Sequence, residues 1–199
     1  DELPGRRFER ARDVPPFADF MASRLVRHRP AGELTSYSSY GMALAGLVVE
    51  DVSGTAYEPY LETHLFRPLA MKSARVMNAP GDDAGIATPY EIDDGKATRM
   101  DHEWYATPPA ASAVSSVRDF GRLLVALTSG KPRIVSTQTL DRMMTTQATL
   151  HPAVPGWGYG FQLGQMNGRR IAGHGGLRED PEPRPGVHEA PRRDLDGQV

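Results

Sequence analysis

The sequence has no cysteine, which excludes a disulfide framework, a thiolate nucleophile and any cysteine-ligated metal centre, and leaves the redox compartment open. It also lacks any run approaching the roughly 20 apolar residues of a membrane-spanning helix, so no membrane span is expected. Neither sign of charge dominates. A formal net charge of -2 gives no overall pull toward nucleic acid or anionic lipid, and no nucleic-acid partner is expected. The six histidines show no His-x-x-x-His or comparable carboxylate spacing, so no metal site is implied. Position 1 is Asp, and no charged n-region with an apolar h-region opens the chain. A preceding segment, with any signal peptide, is expected to lie outside these residues.

What is present is ordinary for one globular domain or a large piece of a bigger one: 199 residues, 39% hydrophobic and 24% charged. Residues 1–13 are polar and loop-like. Pro15-Pro16 opens a helical pattern in which Phe17, Phe20, Met21 and Leu25 recur at helical spacing, and the pattern is predicted to end near Pro30. A second helix is predicted over 40–53, with Gly54 as its stop. Its sides are apolar almost all round, so it reads as a buried helix. Thr55 and Glu58 have capping-box spacing and predict a helix to about Phe66. Glycines, prolines and alternating charges make 78–109 a long connection with a short strand pair. Ser116 and Ser136 are predicted to cap two further helices. From Trp157 the period turns to two, through Tyr159, Phe161 and Leu163. Asn167-Gly168 then predicts a hairpin that returns to His174. Residues 177–199 are rich in proline and arginine with little to bury, so a disordered tail is expected there.

The hydroxyl cluster "LTSYSSY", residues 34–40, stands directly before the most apolar stretch. Tyr37 and Ser39 can be read as helix capping or as part of an active site, since serine is a favoured N-cap and hydroxyls also serve acid-base chemistry.

Several fragments in order favour a family. "PAGELTSYSSYGMALAGLVVEDVSGTAYEPYLETHLFRPLAM" resembles the segment of serine beta-lactamases and penicillin-binding proteins written P-G-x-x-F-x-Y-S-N, helix, S/T-G, helix, PLGM. "PPAASAVSSVRDFGRLLVAL" resembles the start of its downstream helix. "GWGYGFQL" followed by "GHGG" resembles its strand pair and the H-x-G form of its K-T-G element. The branch most similar is that of class C beta-lactamases and esterases. The resemblance implies a partial α+β fold over residues 1–176, mostly its helical part plus one antiparallel hairpin. It implies a small-molecule ester, beta-lactam or D-amino-acid peptide as substrate of the completed enzyme, and no cofactor.

The resemblance places on Tyr37 the tyrosine that, with a lysine, activates the nucleophilic serine. Ordinary tyrosine ionises near pH 10, so such a role needs positive charge beside it. Ser39 stands where the family has Asn, which exchanges an amide for a small hydroxyl. His174, Gly175 and Gly176 would edge the substrate cleft, the histidine donating to a substrate carbonyl or carboxylate. The nucleophile itself is not found. The family's Ser-x-x-Lys puts the amine beside the serine oxygen after one helical turn. Here Lys72 follows Leu69 by three residues, Lys96 follows Asp93 and Lys131 follows Thr128. The chain therefore reads as a fragment inactive alone. A non-catalytic binding or scaffold module is the alternative, and self-association through an uncovered sheet edge is expected.

Overall fold

The computed structural model describes residues 6–27, 30, 32–33, 35–129, 134–151, 153–154 and 156–175. Within these residues the architecture is α+β, with six α-helices and four separate two-stranded antiparallel pairs. The expected tail over 177–199 and Gly176 lie outside the described residues.

Helix α1 spans Phe17–Ala22 and is shorter than the apolar spacing predicts. Its first turn buries Phe20 and Met21. Beyond Ala22 the backbone loosens, and Leu25 is 46% exposed. Helix α2 covers Ser39–Ser53 and stops at Gly54, whose φ of 65° is the left-handed conformation that a glycine adopts without a Cβ clash. The buried side of α2 carries Tyr40, Ala43 and Gly46. A Cβ on Gly46 would lie 2.1 Å from Pro109 Cγ, so only glycine lets α4 (Pro108–Ala111) sit this close. The other side of α2 is open. Leu44, Val48 and Val52 keep 41%, 53% and 81% exposure, which corrects the reading of a fully buried helix.

Helix α3 spans Tyr57–Leu61 and runs on through a π-turn, Glu62–Phe66. The expected Thr55 cap is not made. Glu50 Oε1, at the end of α2, accepts from Tyr57 N at 2.7 Å instead, so the preceding helix caps the next. The serine caps do form. Ser116 Oγ accepts from Asp119 N at the start of α5 (Val117–Thr128), and Ser136 Oγ accepts from Thr139 N at the start of α6 (Thr137–Met143).

Two apolar clusters make the core. One joins Phe20, Met21, Tyr40, Ala43 and Ala106. The other joins Phe66, Leu69, Met71, Ala74, Val76 and Ala126. A polar knot ties the second cluster down: buried Asp119 accepts from Ser73 N at 2.7 Å and from Ser73 Oγ at 2.6 Å, and pairs with Arg122. The hydrogen bonds from the Ser73 side chain and backbone, helped by Arg122, hold its carboxyl below the usual range although burial acts the other way.

Of the strand pairs, β1 (Arg7–Phe8) joins β5 (Trp104–Tyr105), and β2 (Arg75–Val76) joins β6 (Ala113–Val114). The pair expected in the long connection is β3 (Tyr90–Asp93) with β4 (Lys96–Arg99). The last hairpin pairs β7 (Gln162–Met166) with β8 (Arg169–Gly173) about Asn167-Gly168, whose φ values of 51° and 74° are those of the predicted turn. The expected strand from Trp157 is corrected. Gly158 N donates to Phe161 O at 2.8 Å and Gly160 takes a φ of 79°, so 157–161 closes as a tight loop before β7 begins. Among the described residues no helix is long and apolar enough to cross a membrane.

Candidate active site

The start of α2 separates capping from the other hydroxyls. Ser38 is the N-cap: its backbone is extended and its Oγ accepts from Gly41 N at 3.0 Å. Capping is thus done by the residue between Tyr37 and Ser39, and neither of those side chains is needed for it. Tyr37 is 54% exposed. Ser39, the first residue of α2, is 4% exposed and lies inside the packed side of the helix.

His174 follows β8 directly, and its ring lies 5.8 Å from the Tyr37 ring, centre to centre, with the planes tilted by 50°. The structure therefore brings together two predicted site residues from opposite parts of the chain. On its other side His174 meets Trp157 at 6.2 Å, nearly edge-on at 64°. These separations fall in the range in which aromatic rings attract one another by the edge of one and the face of the other. Sequence reasoning placed Trp157 in an alternating strand, as a core or cleft-wall residue.

The Nδ1 atom of His174 rests against the carbonyl oxygen of Gly175. In the tautomer that donates there, a neutral ring offers Nε2 as an acceptor, and Nε2 becomes a donor only when the ring is charged. A donor role toward a substrate carbonyl therefore requires the imidazolium or the other tautomer. Gly175 is exposed next to it.

An apolar groove of about 1470 Å³ opens between α5, α6 and the hairpin, with Phe120, Leu124, Leu127, Phe161 and Leu163 in its walls and His174 at its margin. Sites for small molecules measure roughly 300–1,000 Å³ and carry convergent polar groups. This groove is larger, and its mainly apolar lining, with Thr128, Gln165 and Arg170 among it, has the character of an uncovered packing face. Among the described residues no three His, Asp or Glu side chains gather as a metal-binding group.

Solved structures share the fold. A penicillin-binding protein homologue from Pyrococcus abyssi, described as octameric, matches with a TM-score of 0.66 and 23% identity over 81% of this chain and 38% of its own. A penicillin-binding protein from Bacillus halodurans matches at 0.61 and 21%, over 79% of this chain and 49% of its own. A D-amino acid amidase from Ochrobactrum anthropi SV3, complexed with L-phenylalanine amide, matches at 0.55 and 24%, over 83% and 49%. The chain thus spans half or less of the length of these structures. No curated protein matches the sequence significantly. The beta-lactamase family model covers residues 3–184, nearly the whole chain, and it leads to one conclusion: the chain belongs to the beta-lactamase family.

Proposed function

We propose that residues 1–199 supply Tyr37 and His174 to the acyl-transfer cleft of a serine hydrolase, and that they are inactive without a Ser-x-x-Lys segment. The reading is carried by the contact of the Tyr37 and His174 rings, two residues selected on separate motifs. In the completed enzyme the serine oxygen bonds to the substrate carbonyl carbon while its proton passes to the phenolic oxygen of ionised Tyr37. The carbonyl electron pair moves onto oxygen. Its return expels the leaving group, which takes the proton from Tyr37, and water then releases the acyl group by the same steps. A charged His174 would steady substrate oxygen at the edge of the cleft. Gly175 and Gly176 would let the substrate backbone approach closely.

The substrate is an ester, a beta-lactam or a D-amino-acid amide or peptide. The D-amino acid amidase among the similar structures supports the last of these, and the penicillin-binding proteins support the beta-lactam. Ser39 is assigned to substrate preference by the motif. Its burial makes that influence indirect, through the seating of α2.

The chain alone, treated with a fluorophosphonate or penicillin probe, should show no covalent adduct by intact mass. A fusion with the nucleophile-bearing segment of a family member should acquire one adduct and turn over ester or D-amino-acid amide. In that fusion Tyr37→Phe should lower turnover by about 10²- to 10⁴-fold, the effect of losing acid-base help. An adduct on residues 1–199 alone would contradict the reading. A correctly folded fusion that stays unlabelled would favour a non-catalytic binding module, which the absence of Ser-x-x-Lys from this sequence also suits.

A further inference from the structure

We propose that Trp157 is a positioning residue, a fixed wall that sets the imidazole of His174 against Tyr37. The inference rests on the reading of Tyr37 and His174 as cleft residues.

The backbone of Trp157 is held on both sides. Its N–H donates to Ala148 O at 2.7 Å, and its carbonyl accepts from Gln147 N at 2.7 Å and from Ala148 N at 3.1 Å. It also forms a bridge to Gln162, and Gln162 pairs with Gly173 in the hairpin. Trp157, Gln162 and Gly173 thus lie in one row across neighbouring backbone segments, and His174 is the next residue after that row. The indole and the imidazole meet beside that row, edge to face.

The glycines flanking Trp157 make the arrangement possible. A Cβ on Gly158 would lie 2.0 Å from Met143 O, the last carbonyl of α6, and a Cβ on Gly156 would lie 2.5 Å from Thr146 Cγ2 and 2.8 Å from Ala148 O. Contacts that short do not occur, so a larger residue at 158 must push the loop off the end of α6, and one at 156 must push it away from Thr146 and Ala148. Tyr159 N, donating to Met143 O at 3.1 Å, anchors the same point. The spacing Gly-Trp-Gly is therefore a geometric requirement for seating the Trp157 backbone this close to its neighbours, with the indole beside His174.

The consequence reaches Tyr37. Its ring meets that of His174 and, among the described residues, has no ring contact with Trp157. The ring contacts therefore lead from Trp157 to Tyr37 by way of His174.

The test uses the full chain and needs no nucleophile. Acylation of histidines by diethyl pyrocarbonate and of tyrosines by N-acetylimidazole is followed site by site by mass spectrometry. Trp157→Ala should raise the rates at both His174 and Tyr37 severalfold, and Trp157→Phe should restore them toward wild type. Gly158→Ala, which keeps the indole but displaces its backbone, should act like Trp157→Ala. His64 and His102, in other parts of the fold, should keep their rates. Unchanged rates at His174 in both Trp157→Ala and Gly158→Ala would overturn the proposal. So would a rise at His174 without one at Tyr37, or a rise shared by His64 and His102. Because labelling requires no turnover, a fusion that fails to acylate would sink the proposed function without altering this result.

Discussion

The helical region and the last hairpin bury their apolar side chains very differently. Met21, Ala43 and Ala106 in the first cluster are 0%, 0% and 1% exposed. Every residue of β8 is exposed, and Met166 and Ile171 keep 61% and 45%. The helices find partners within the chain: α2 packs on α1, α3 and α4, and α5 closes over the turn at Ser73. The hairpin pairs chiefly with itself, and a lone two-stranded hairpin is marginal in water. The candidate site straddles this boundary, with Tyr37 attached to α2 and His174 to β8. Half of the site rests on a packed scaffold and half on an edge that other residues must support.

The difference sets an order of effects. Met21→Ala removes a side chain with no exposure and should destabilise by about 2–5 kcal/mol in urea unfolding, as buried truncations do. Ile171→Ala on the hairpin should change stability by no more than about 1 kcal/mol. Equal losses from the two would break the comparison.

The uncovered hairpin and the open groove beside it also lead us to propose that the purified chain self-associates through this side. Sedimentation velocity should show oligomers whose population falls on Ile171→Glu. Oligomers unaffected by that change would direct attention to the exposed stripe of Leu44, Val48 and Val52 on α2.

Acid should act on the helical region first. The carboxyl of Asp119 is held below the ordinary value of about 3.9 by its bonds from Ser73, with Arg122 assisting. A depressed folded value means that the stabilisation is present above that ordinary value and is lost as pH falls through the folded one. Asp119→Asn should therefore lower stability at neutral pH and flatten its fall below about pH 4, where the ordinary carboxylate itself protonates. A variant whose stability declines with acid as steeply as wild type would show that the knot is not the acid-sensitive element.

Local backbone chemistry was the part most legible in the sequence. Gly54, Ser116, Ser136 and the Asn167-Gly168 turn each act through their own side chain or φ, and each does in the structure what its type dictates. Elements that depend on distant partners were harder to read. The two-residue pairs β1–β5 and β2–β6 have no periodicity to detect, and α1 ends early although its apolar spacing continues to Leu25. In α2 the all-round apolar composition signalled a buried helix, but burial needs a partner on each side, and the described residues supply one for only part of its surface. For the site, the motifs carried Tyr37 and His174, while Trp157 was hidden because a loop, not a strand, gives it its place. The signal that could have revealed it is the glycine on either side.

Hydrogen exchange of the isolated chain, followed by mass spectrometry at peptide resolution, tests most directly whether packing closes around the helices and leaves the site-bearing hairpin open. Exchange reports local opening, which is governed by how many buried contacts hold each segment. The account predicts slow exchange in α2 and α5 and much faster exchange in β7 and β8. Protection of β7 and β8 equal to that of α2 in a monomeric sample would contradict it, and would mean that the hairpin is covered from within the chain.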